Sequence, residues 1–135
     1  MIDELQTPFK NVMIIDDNPV DLFISARIIT KNKFCSKLIQ YSSAEEALAY
    51  LTENQENLEL LPQIIFVDIY MPVMTGFEFI EAYDKLSPTL KNNCQAFIIS
   101  SSIDDRDISL ANNNKNIVGF HEKPMTKDFL ATVLS

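Results

Sequence analysis

The chain has 135 residues, 47% of them hydrophobic and 22% charged, with 2 Gly and 6 Pro; that is the size and composition of one compact domain and excludes a long disordered tract. Its 19 acidic and 11 basic residues give a net charge of -8, which argues against binding a nucleic-acid backbone and favours cations or basic protein surfaces. Cys35 and Cys94 form neither a metal-ligand spacing nor a disulfide framework, no apolar run approaches a membrane span, and Asp3 and Glu4 stand where a signal peptide carries positive charge, so a reduced, cytoplasmic chain is expected.

Met1 to Lys10 reads as a short lead whose Ile2, Leu5 and Phe9 at most pack on the body, which leaves residues 11–135 as the domain. Val12-Met13-Ile14-Ile15 is an all-apolar strand ending on Asp16 and Asp17. Asn18-Pro19 then turns the chain into a helix, Asn as N-cap and Pro at the first helical position. Leu22, Ala26 and Ile29 recur at helical spacing, and Phe23, Ile24 and Ile28 widen the apolar stripe. Leu38 to Tyr41 reads as a second strand, and Ser43-Ala44-Glu45-Glu46 has the spacing of a capping box for a helix through Leu51. The glutamates from Glu53 to Glu59 read as a solvated extension.

Gln63 to Asp68 is the stretch that organises the rest. Ile64-Ile65-Phe66-Val67 reads as a strand buried on both faces, ending on a carboxylate that breaks into the loop Ile69-Tyr70-Met71-Pro72. Gly76 permits a turn, and Phe79, Ile80, Tyr83 and Leu86 mark a third helix that stops before Pro88. Ala96 to Ile99 is a fourth strand, ending on Ser100-Ser101-Ser102, and Asp104 to Asn112 is a polar fourth helix. Val118 to His121 is the fifth strand, closed by Glu122-Lys123-Pro124, with Phe129, Leu130 and Val133 facing inward from a fifth helix. The sole His121 reads as structural, and Ser101 and Ser102 as loop residues.

Five strands alternating with five helices imply an α/β fold with a doubly wound, five-stranded parallel sheet. Ligands of such sheets bind beyond the carboxyl ends of the strands. Asp16, Asp17, Asp68, Ser100 and Lys123 can therefore converge at one edge. Carboxylates brought that close repel one another unless a divalent cation sits among them, and an all-oxygen set selects a hard ion such as Mg²⁺. Asp68 can then act as a nucleophile toward phosphorus, with Lys123 offsetting charge and Ser100 donating a hydrogen bond.

The chain resembles the receiver domain of the two-component response-regulator family, with the flavodoxin-like receiver fold. The resemblance spans about Asn11 to Leu134 and rests on Asp16-Asp17, Asp68 to Pro72 with Gly76, Ser100, and Lys123-Pro124 in order. It implies that Asp68 accepts a phosphoryl group from a phosphohistidine of a sensor histidine kinase or a histidine phosphotransfer protein. It also implies Mg²⁺ held by Asp16, Asp17, Asp68 and the backbone carbonyl of Tyr70, Lys123 against the phosphoryl group, Ser100 as switch hydroxyl and Phe120 as switch aromatic. The peptide before Pro124 is expected to be cis. Ser100 stands where Thr is commoner, which keeps the hydroxyl and drops the methyl.

A dehalogenase-type phosphatase would need an acid where Tyr70 stands, a flavin carrier a glycine-rich loop after the first strand, and a P-loop hydrolase its Gly-Lys-Ser/Thr loop. None of these is present. The expectation is a single-domain response regulator, no enzyme beyond its own phosphorylation and dephosphorylation, without direct nucleic-acid contact or membrane insertion. Its output would pass through a downstream protein or by onward transfer of the phosphate. The alternative is a receiver-like interaction module that is never phosphorylated. Tyr70 and Ser102, at the mouth of the expected site, point to slow self-dephosphorylation, because the ring can cover an approach and Ser102 cannot position water.

Overall fold

Short β-branched runs between polar residues become the strands here, and the amphipathic stretches between them become the covering helices. The computed structural model describes residues 7–134. Its strands are β1 Phe9–Ile15, β2 Cys35–Tyr41, β3 Ile64–Asp68, β4 Gln95–Ser100 and β5 Ile117–Glu122. Its helices are α1 Pro19–Lys31, α2 Ala44–Glu53, α3 Gly76–Tyr83, α4 Pro88–Lys91, α5 Asp105–Asn112 and α6 Lys127–Val133. The strands form one sheet in the order β2-β1-β3-β4-β5, and every neighbouring pair is parallel. This is the five-stranded, doubly wound α/β architecture expected from the alternation of elements.

The pleat divides the apolar residues of the central strands into two cores. Met13, Ile15, Ile65, Val67 and Ile98 face Ala47, Leu51, Phe79, Ile80 and Ala111, on the side of α2, α3 and α5. Val12, Ile14, Ile64, Phe66, Phe97 and Ile99 face Ile29, Phe129 and Leu130, on the side of α1 and α6. Phe66 anchors the second core, with ring centroids 5.8 Å from both Phe97 and Phe129. Burying each such side chain stabilises the fold by about 1.5–3 kcal/mol, so β1 and β3 form its stiffest part.

Several elements differ from the sequence reading. β1 begins at Phe9, pairing with Cys35, because the Phe9 ring packs on Phe34 with centroids 5.1 Å apart. The expected contacts of Ile2 and Leu5 fall outside the described residues. Among the described residues there are six helices rather than five: Pro88 closes one helical pattern and also opens a single turn in which Leu90 is buried. On α1, Phe23 and Ile24 are exposed, since the helix turns Ser25 and Ile29 to the core instead. At α2 only half of the capping box forms, Ser43 Oγ accepting from Glu46 N at 3.2 Å. Reciprocal boxes occur at Thr75/Glu78 and Asp104/Asp107.

Gly76 has no left-handed backbone, contrary to the turn expected of it. Close approach requires it. A Cβ there would stand 3.0 Å from Ile69 Cα and nearer still to the Asp68 carbonyl, while Gly76 N donates to Ile69 O at 2.8 Å. The glycine lets α3 start directly against the loop that follows Asp68. The left-handed residue of that loop is Val73, at φ 71° and 83% exposed.

Candidate functional site

Strand register brings the charged residues together. Ile15 pairs with Val67, so Asp16 and Asp68 leave adjacent strands side by side, at the point where the sheet order reverses between β1 and β3. Asp16 N still donates to Tyr41 O at 3.1 Å, which holds this residue in the sheet. On the other flank Ile99 pairs with Asp68 and His121, and Lys123 N donates to Ser100 O at 2.7 Å. The Lys123–Pro124 peptide is cis.

Asp16, Asp17 and Asp68 each place a carboxylate oxygen within 4.8 Å of the others. Asp16 and Asp68 are buried and Asp17 is exposed. Lys123 Nζ lies 2.6 Å from Asp16 Oδ2, 3.0 Å from Asp21 Oδ2 and 3.3 Å from Asp68 Oδ2. Asp16 Oδ2 is fully buried, and its partner there is the Lys123 ammonium. Asp16 Oδ1 accepts from Asn18 N at 3.0 Å, which ties the acid to the cap of α1.

Burial pushes the Asp68 carboxyl up to about 6; the neighbouring Lys123 pulls it down and Asp16 pushes it further up. Burial alone would lower Lys123, but Asp16 and Asp21 reverse this and hold its ammonium above the usual lysine value. One buried cation thus serves three acids. An oxygen-only set of three acids whose carboxylate oxygens lie within 4.8 Å of one another fits a hard divalent cation such as Mg²⁺.

The remaining expected residues lie around this cluster. Ser100 is buried, with its hydroxyl turned into its own loop, donating to Ser102 O at 3.2 Å. Phe120 pairs with Ile98 and packs, half-buried, on the core under α2, α3 and α5. Tyr70 follows Asp68 into the loop, 54% exposed, and its hydroxyl donates to Asp107 Oδ2 at 2.7 Å. That bond retains the phenolic proton and lifts the Tyr70 pKa to about 12. His121 stacks on Phe129 at 4.2 Å with Nε2 3.0 Å from Pro124 O, a packed ring with a backbone partner. Burial pushes the Cys35 thiol up to about 11 and Cys94 up to about 12, so neither supplies a thiolate.

Sequence reasoning missed Asp21 and Asp107. Asp21 occupies the first turn of α1, which its cap Asn18 directs at the carboxyl edge. The Asn18-Pro19 start was therefore a signal that Asp21 would lie near Asp16. Asp107 carried no comparable sign, since its partner Tyr70 is 37 residues away.

Comparison with known proteins agrees with the geometry. The response regulator receiver domain family matches residues 12–135. The two-component response regulator ORR1 of rice is 31% identical over 80 residues, a stretch that covers 57% of this chain and only 34% of the rice protein. A response regulator receiver protein from Dyadobacter fermentans superposes with a TM-score of 0.83 at 28% identity, covering 93% of this chain and 94% of that one. A two-component response regulator from Cytophaga hutchinsonii gives 0.83 at 26%, covering 93% and 96%. Among the described residues no helix is long and apolar enough to cross a membrane. The chain belongs to the response regulator receiver-domain family.

Proposed function

We propose that Asp68 accepts a phosphoryl group from the phosphohistidine of a sensor histidine kinase or phosphotransfer protein, in a reaction that depends on Mg²⁺. The observation that carries this reading is the cluster itself: Asp68 beside Asp16 and Asp17, with Lys123 Nζ at 3.3 Å. Asp16, Asp17, Asp68 and the Tyr70 carbonyl would hold the metal, which when bound supplies positive charge to the phosphoryl oxygens.

An Asp68 carboxylate oxygen forms the new P–O bond, the P–N bond to the donor imidazole breaks, and the imidazole leaves with the electron pair. Lys123 balances charge from the β5 side, and Asp21 keeps its ammonium above the cluster. Ser100 would rotate from Ser102 to donate to a phosphoryl oxygen. Phe120 would move into the space released, reshaping the face made by α5, β5 and α6. That face is the proposed surface for a downstream protein, unless the phosphate is passed onward. Meeting such a kinase would put the chain in the cytoplasm, and its net charge of -8 speaks against direct nucleic-acid contact. On this reading the domain is a signalling module whose own chemistry is limited to gaining and losing its phosphate.

Intact mass after incubation with acetyl phosphate and Mg²⁺ tests the proposal. The native chain is expected to gain one phosphoryl group, and Asp68→Asn to gain none. No gain in the native chain would contradict it and leave the unphosphorylated interaction module as the better reading.

A further inference from the structure

Tyr70 is more than half exposed. A phenol in that position has little packing to select one rotamer, and its hydroxyl nevertheless makes a 2.7 Å bond to a carboxylate 37 residues away. The acceptor is itself fixed. Asp107 is buried; its N donates to Asp104 Oδ1 at 2.9 Å, and its Oδ2 accepts from Asp104 N at 3.3 Å, so the reciprocal cap of α5 holds the carboxylate in place. That same oxygen takes the phenol, and hydrogen bonds to ionised acceptors are the stronger kind.

The span of this contact matters. Tyr70 leaves the sheet two residues after Asp68, while α5 starts after the Ser100–Ser102 loop of the neighbouring strand. The bond therefore bridges the gap between the loop that follows Asp68 on β3 and the helix that follows the Ser100 loop on β4.

We propose that Asp107 is a positioning residue for Tyr70: it pins the ring across this gap and thereby sets how readily water reaches a phosphoryl group on Asp68. The inference rests on the phosphoacceptor reading and adds to it a residue on α5 that touches none of the acids of the cluster. It makes phosphate lifetime depend on the tether as well as on the bulk of the ring. It also makes the first turn of α5 and the loop after Asp68 move together.

The test follows the loss of phosphoryl mass after acetyl phosphate is removed, in the native chain, Tyr70→Phe, Asp107→Asn, Asp107→Ala and the Tyr70→Phe/Asp107→Ala pair. Tyr70→Phe keeps the ring and the cap and loses only the tether, so decay is expected to be roughly two- to tenfold faster. Asp107→Asn retains an acceptor oxygen and is expected to keep nearly the native lifetime. The double variant is expected to decay no faster than Asp107→Ala, because one tether can be lost only once. An Asp107 that served α5 alone would lower the melting temperature of Asp107→Ala and leave Tyr70→Phe at the native lifetime. That result, or additive effects in the double variant, would overturn the proposal. A native chain that gains no phosphoryl group would overturn the phosphoacceptor reading and this inference together, whereas a normal gain with a native lifetime in Tyr70→Phe would overturn this inference alone.

Discussion

β1 and β3 are covered on both faces, and every residue from Val12 to Ile15 and from Ile64 to Val67 is inaccessible to solvent. β5 and α5 are built differently. Val118 is 55% exposed, Gly119 and Phe120 are half-buried, and α5 turns only Asp107 and Ala111 inward. Asp68, the proposed phosphoacceptor, is thus mounted on the part that resists movement, while Lys123 and Phe120 belong to a flank held by less apolar area. Segments with few buried contacts open at lower free energy than the core, so the flank is where a response to phosphorylation can be taken up.

The sharpest way to break this contrast is a matched pair of truncations. Ile65→Ala should lower stability by about 3–5 kcal/mol, whereas Val118→Ala should change it by less than about 0.5 kcal/mol. Urea unfolding measures both, and similar losses would show that the flank is as tightly built as the centre. Next comes the junction of the rigid strand with its loop. Gly76→Ala drives a methyl into the Asp68 carbonyl and Ile69, an overpacking that should remove about 2–3 kcal/mol. A melting temperature equal to the native one would mean that the loop yields freely.

Burying Asp68 costs the rigid centre stability once its carboxyl ionises. Asp68 has its pKa raised from 3.8 to about 6 by burial, so the folded state favours the protonated carboxyl. Its contribution to stability is complete below pH 3.8 and is lost as pH rises through 6. Metal-free Asp68→Asn should therefore match the native chain near pH 4 and exceed it by about 2 kcal/mol at pH 7. Unfolding curves recorded across that range check the sign. A variant that is less stable at pH 7 would show that the Lys123 contact outweighs desolvation. The smallest effect is expected at the exposed loop, where Val73 holds φ 71°. Val73→Asn should stabilise by about 0.5–1 kcal/mol, because Asn tolerates the left-handed region and a β-branched residue does not; a lower melting temperature would argue that the Val73 side chain has a packing role.

The rigid half of the molecule was legible in the sequence and the flank was less so, for a physical reason. Val12 to Ile15 and Ile64 to Val67 declare their burial because all their neighbours in sequence are apolar, and each run ends on its acid. Asn18-Pro19 similarly announces the start of α1. The lone turn Pro88–Lys91, the exposure of Phe23 and Ile24, and the true reason for Gly76 depend on what lies opposite in space, which periodicity does not encode. The same holds for the site. Asp16, Asp17, Asp68 and Lys123 were found because each lies at or just past the carboxyl end of a strand. Asp21 and Asp107 were not, since both stand inside helices and meet partners 102 and 37 residues away. Short-range pattern locates the groups at strand ends, and long-range packing decides which others join them.

Amide hydrogen exchange on the chain with and without acetyl phosphate and Mg²⁺ measures the contrast between centre and flank directly. The expected result is unchanged protection in Val12–Ile15 and Ile64–Val67, with altered protection in α5 and β5, residues 105–122. Equal changes across all four segments, or no change from 105 to 122 in a chain whose mass shows it to be phosphorylated, would contradict it.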